Sequence, residues 1–129
     1  MTVELIYLTC VTLFTAVMWV PYILNVISVR GIADAVGYPD HPKPMAAWAN
    51  RMKAAHANAV ENLVVFAALV LAAHAVGVSN EITVMASAVY FWARVVHFAA
   101  YTFRIPWVRT LAFAVGFFCQ AAIGWQILY

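Results

Sequence analysis

Charge is what this chain most lacks. Only 9% of its 129 residues are Asp, Glu, Lys or Arg, against about a quarter in an ordinary soluble domain. Hydrophobic residues make up 67%. A soluble fold of this length has too high a surface-to-volume ratio to hide so much apolar surface. A water-soluble globule is excluded, and lipid becomes part of the solvent. Cysteine is nearly absent too. Cys10 and Cys119 stand alone inside apolar runs, without the spacing of a metal site or a redox pair, so packing or lipid contact is their expected role and no metal is expected. There is no glycine-rich phosphate loop, internal repeat or low-complexity stretch.

What the chain does have is long apolar runs, in room for a single domain, 1–129. A helical span needs about 20 apolar residues. Residues 5–29, 62–80 and 110–129 carry no charge, and 82–103 carries only Arg94. The expected fold is an all-α integral membrane bundle of four transmembrane helices, at about 4–29, 55–77, 82–103 and 106–128. Arg94 is the anomaly, because a guanidinium near the middle of a span costs about 2.5–3.5 kcal/mol on insertion scales. The first span has no basic n-region and no small-residue cleavage pattern after it, so it reads as a retained helix rather than a signal peptide.

Between the first two spans, Pro39, Pro42 and Pro44 exclude regular helix, which can resume from Met45. Pro21 predicts a kink within the first span, and Pro106 suits the first turn of the fourth. The loop-borne basic residues gather at two places. Arg30, Lys43, Arg51 and Lys53 surround the first loop, and Arg104 and Arg109 the link between spans three and four. The turn at 77–81 and both termini have none. The positive-inside rule then puts both basic loops in the cytoplasm and both termini outside. This distribution also accounts for the net charge of +2, so no nucleic-acid partner is expected; membrane lipid is.

Ionisable groups inside spans are penalised by hydrocarbon, which makes each one a functional hypothesis. They form two clusters here. On the second helix, Asn58 and Glu61 are three apart, Asn58 and Asn62 four apart, and Arg51 lies seven before Asn58, so they are expected on one face. On the third, Arg94, His97 and Tyr101 form a second stripe. A Glu61–Arg94 ion pair with interhelical hydrogen bonds would suffice to join helices. The convergence of a carboxylate, amides, histidines, a tyrosine and arginines at one depth suits a polar ligand instead. A proton-coupled exporter would need a carboxylate deep in a span, whereas Glu4 and Glu61 lie near helix ends.

The same residues carry a resemblance. Arg51-x-x-x-Ala55-His56-x-Asn58-x-x-Glu61, then Arg94-Val95-x-His97-x-x-Ala100-Tyr101, then Pro106…Arg109-Thr110 resemble the MAPEG family of membrane-associated proteins in eicosanoid and glutathione metabolism, in a bacterial-type form. The resemblance covers nearly the whole chain. It implies a homotrimer in the bacterial inner membrane that uses glutathione as cosubstrate in clefts between subunits. It further implies that Arg51, Asn58, Glu61, Arg94, His97, Tyr101 and Thr110 bind glutathione, and that Arg109 is the catalytic partner of its sulfur. The second substrate would be a lipophilic electrophile or hydroperoxide, and the activity that of a membrane glutathione transferase or peroxidase. The chain departs from the family pattern at Ala57 and Ala54, where basic residues are common, and at Phe113, where the prostaglandin synthase branch has tyrosine. These departures keep open the alternative of a non-catalytic, lipid-binding or structural member.

The charge distribution makes a direct prediction. Reporter fusions at Tyr129 and within 31–50 should report opposite compartments, with the C-terminus outside; a cytoplasmic C-terminus would reverse the assignment.

Overall fold

A computed structural model describes the whole chain, residues 1–129, and contains helices and no strands. The elements are α1 (Val3–Val17), α2 (Trp19–Val36), α3 (Ala47–Ala75), α4 (Glu81–Thr102) and α5 (Pro106–Leu128). Together α1 and α2 form one long segment, so the chain has four helices long and apolar enough to cross a membrane. The break between α1 and α2 falls at Met18, whose N–H turns to the Thr15 carbonyl at 3.3 Å. Its cause lies one turn later. Pro21 has no N–H to give the Val17 carbonyl and its ring crowds that carbonyl. The first helical segment runs past residue 29 to Val36, but Gly31 (φ 79°, ψ 160°) redirects the chain within it.

Small residues set the closest packing. α4 and α5 make the most extensive contact in the bundle, with Ala86, Ala93, Ala100, Ala112 and Gly116 buried between and around them. Without a hydrophobic drive between helices in lipid, close backbone approach supplies the dispersion energy that holds them. Phe66 of α3 stacks on Tyr90 of α4 with ring centroids 3.9 Å apart, and both are fully buried. Outward positions such as Leu13, Val64, Trp92 and Phe118 stay exposed, as a lipid-facing surface requires.

The two ends are closed differently. At one end, Asn25 accepts from the Ala46 N–H at 3.0 Å and Arg30 Nε donates to the Lys43 carbonyl at 2.7 Å. Asn25 therefore serves one of the N–H groups that the start of α3 leaves without a helical partner. At the other end, buried Glu4 accepts from Ser79 Oγ and Thr83 Oγ1, which ties the start of α1 to the start of α4. Asn80 caps α4 with a full capping box and donates from Nδ2 to Gln126 of α5. The basic residues all lie at the first of these ends, apart from Arg94 within α4. This is the basic end of the bundle.

Candidate functional site

Arg94 organises the basic half of the bundle. It is 2% exposed, and its stem runs beside Gly116 of α5, where a Cβ would meet the Arg94 Cδ at 4.0 Å. Its Nη2 donates to Asn58 Oδ1 at 2.8 Å and reaches His97 Nδ1 at 3.3 Å. Arginine can only donate, so His97 Nδ1 accepts and its ring proton belongs on Nε2. Three residues separate Arg94 and His97 on α4, the spacing that brings helix side chains together. Buried Nε has no partner.

The Glu61–Arg94 ion pair that would have sufficed to join the helices does not form, and no ion pair forms anywhere in the chain. Helical geometry explains this. Three residues on from Asn58, Glu61 is rotated by about 60° one way around α3, and four residues on, Asn62 by about 40° the other. Asn62 consequently stays with the site: its Nδ2 donates to the Asn58 carbonyl at 2.9 Å, and its own carbonyl accepts from Gln120 of α5 at 3.1 Å. Glu61 is exposed, and lines a separate hollow of about 390 Å³ with Tyr22, Lys53 and His56. There the Tyr22 hydroxyl and His56 Nδ1 are 2.8 Å apart. The expectation that Arg51, Asn58, Glu61 and Asn62 share one working face is thus corrected for Glu61.

Beside Arg94 a cleft of about 320 Å³ opens between α3, α4 and α5, walled by Asn58, His97, Tyr101, Arg109, Thr110 and Phe113. His97 and Tyr101 are one turn apart on α4, with ring centroids at 5.7 Å. Pro106 starts α5 at its first position, which puts Arg109, Thr110 and Phe113 in its first two turns, facing α4. The Arg109 guanidinium lies over the Tyr101 ring, 5.0 Å from its centroid, a cation–π geometry that holds the charge at the cleft. Of the residues predicted from sequence, Asn58, His97, Tyr101, Arg109 and Thr110 meet in this cleft, with Arg94 bonded behind two of them. Arg51 instead donates through Nε to the Thr102 carbonyl at 2.9 Å and faces an adjoining hollow. Phe113, a departure from the family pattern, also walls the cleft, and Gln120, which supports it through Asn62, is not among the predicted residues; an uncharged amide inside an apolar run is the signal that singles it out.

A cleft with a guanidinium, a phenol, a hydroxyl and an imidazole, and no carboxylate, suits an anionic ligand. No group of three or more His, Cys, Asp or Glu side chains is placed to hold a metal. The sequence profile of the MAPEG family matches residues 6–129. The chain belongs to the MAPEG family. No curated protein and no solved structure matches it. The match spans every helix that builds the cleft, and with four membrane-length helices this MAPEG protein is an integral, multi-pass membrane protein.

The Arg94–Asn58 bond in this MAPEG protein can be tested by substitution. Asn58→Leu would leave a buried guanidinium short of an acceptor, and should lower stability towards detergent denaturation by about 2 kcal/mol. Asn58→Asp, which supplies an acceptor and a charge, should cost less than half of that.

Proposed function

We propose that the cleft binds glutathione and that the protein is a membrane glutathione transferase or peroxidase acting on lipophilic electrophiles. The observation that carries this reading is the meeting of Asn58, His97, Tyr101, Arg109 and Thr110 in one cleft. Asn58, His97, Tyr101 and Arg109 match residues of the family's glutathione-using pattern in type and order, and Thr110 stands where its prostaglandin synthase branch has serine. A thiol ordinarily ionises at about pH 8.5. A guanidinium beside it favours the thiolate, which is the nucleophile. Arg109 is the cation placed for this role, steadied by the Tyr101 ring. In the transferase reaction the thiolate forms a carbon–sulfur bond and the leaving group departs with its electron pair. In the peroxidase reaction the thiolate attacks the outer peroxide oxygen and becomes a sulfenic acid, the O–O bond breaks, and the departing alkoxide takes up the proton the thiol gave up and leaves as an alcohol. A second glutathione then closes a disulfide and releases water. The second substrate would come through the bilayer, because exposed Phe113 and the outer faces of α4 and α5 are apolar.

Within one protomer the recognition groups are divided: Asn58 and Arg109 belong to the cleft, and Glu61, Lys53 and His56 to the hollow on the other side of α3. A neighbouring copy in a homotrimer would bring the second set to the first, and would cover polar groups that lipid otherwise penalises. A second reading is supported by Ala57 and Phe113. Ala57 lines the Glu61 hollow and Phe113 the cleft, both without a polar atom to offer. A member without thiol chemistry would keep the fold and bind lipid.

Three measurements test the proposal. The purified protein should be retained on immobilised glutathione and released by free glutathione. Bound glutathione should also give an ultraviolet thiolate band that Arg109→Ala abolishes and Arg104→Ala leaves largely intact. Glutathione bound without such a band would favour the non-catalytic reading. Detergent-corrected mass measurement should give three copies, and a stable, active monomer would refute the shared site.

A further inference from the structure

Next to the cleft, at the turn between α4 and α5, lies a hollow of about 270 Å³ whose polar wall is Arg51, Tyr101, Arg104 and Arg109. We propose that this hollow holds the phosphate of an anionic membrane phospholipid.

The argument begins with unused donors. Arg51 engages only its Nε, on the Thr102 carbonyl. The Arg109 guanidinium meets the face of Tyr101, and the Arg104 side chain has no hydrogen-bond partner in the protein. No carboxylate pairs with any of the three. Like charges gathered around one space repel unless an anion neutralises them, and planar guanidinium forks match phosphate oxygens.

Backbone conformation adds a second, independent observation. α4 ends in the motif where the Ile105 N–H returns to the Ala100 carbonyl at 2.8 Å and the Arg104 N–H to Tyr101 at 3.4 Å. Arg104 occupies the left-handed position of that motif, with φ 62°. α3 ends in the same motif, with Val78 returning to Ala73 and Gly77 to His74, and there the left-handed residue is Gly77. Glycine meets no Cβ penalty at that position and arginine does. At α4 an arginine stands where the fold alone favours glycine, and that conformation places its side chain on the hollow.

Depth decides between a lipid and a free anion. Phe103, Ile105 and Trp107 flank Arg104 and are 72%, 46% and 78% exposed. Ile105 lines the hollow itself, and Phe103 and Trp107 are its exposed neighbours along the chain; exposed aromatic side chains at a helix end belong in the interfacial layer, where they anchor helices and lipid phosphates lie. Exposed apolar side chains on either side of Arg104 favour a lipid headgroup over an anion taken from water. Anionic lipid also adds a surface potential that attracts basic side chains near it.

The test uses the full-length protein, delipidated in zwitterionic detergent, with phosphatidylglycerol added back against phosphatidylcholine and bound lipid counted by native mass spectrometry. Phosphatidylglycerol should be retained about fivefold or more over phosphatidylcholine. Arg104→Gly and Arg104→Gln should both lose that preference, and Arg104→Lys should keep most of it. Arg104→Gly should do so without lowering the unfolding temperature in lipid-free detergent, since it relieves the left-handed arginine. Equal retention of the two lipids, or an undiminished preference in both Arg104→Gly and Arg104→Gln, would overturn the proposal. Displacement of phosphatidylglycerol by equimolar inorganic phosphate or glutathione would overturn it as well. Glutathione retention by Arg104→Gly, measured in parallel, reports on the neighbouring cleft alone, so that failure of the one reading is distinguishable from failure of the other.

Discussion

A guanidinium inside a membrane span is the constraint around which the basic half of this bundle is arranged. Arg94 cannot shed its proton and cannot be left facing hydrocarbon. The fold answers by turning it inward and giving it neutral acceptors, Asn58 from α3 and His97 from its own helix. A carboxylate partner would attract it more strongly, but would also have to be desolvated. Neutral acceptors leave the positive charge uncancelled. Together with Arg109 at the cleft wall, it makes the interior of this end electropositive and free of carboxylates.

The rest of the architecture follows from holding α3, α4 and α5 in register around that group. Small residues along the α4–α5 seam let the helices approach closely enough for Gly116 to pass the Arg94 stem. The Phe66–Tyr90 stack fixes the spacing of α3 and α4 a turn further into the membrane. Asn62 and Gln120 then carry the polar network from α3 to α5. At the far end Glu4, Ser79, Thr83 and Asn80 fasten the helix starts, so the bundle is tied by hydrogen bonds at both ends and by dispersion between them. The first span is the loosest in design. Pro21 divides it at Met18, and α2 reaches the remainder mainly through α3, with Tyr22 meeting His56 and Asn25 the Ala46 N–H.

Function is distributed in the same way. The membrane-spanning helices α3, α4 and α5 supply the polar side chains of the cleft. The turn at the end of α4 adds Arg104 to the hollow that Arg51 and Arg109 also line. MAPEG membership covers every helix that builds these features. A polar cleft and an apolar outer face lie on the same helices.

Composition and the spacing of apolar runs were enough to determine the four membrane-length helices, since hydrocarbon leaves a chain with so few charges no other way to satisfy its backbone. The motif residues were legible as well. Polar side chains inside apolar runs stand out one at a time, and Asn58, His97, Tyr101, Arg109 and Thr110 do meet in one cleft. Which of them touch was decided only in three dimensions. Spacings of three and four look equivalent along a sequence, yet on α3 they diverge by about 100°. That rotation sends Glu61 to a different hollow, while Asn62 stays with Asn58. Periodicity assigns faces within one helix but carries no information about what packs against each face. The replacement of a Glu61–Arg94 pair by Asn58 and His97, the place of Arg51 beside Thr102, and the left-handed turn that aims Arg104 all come from the docking of separate helices.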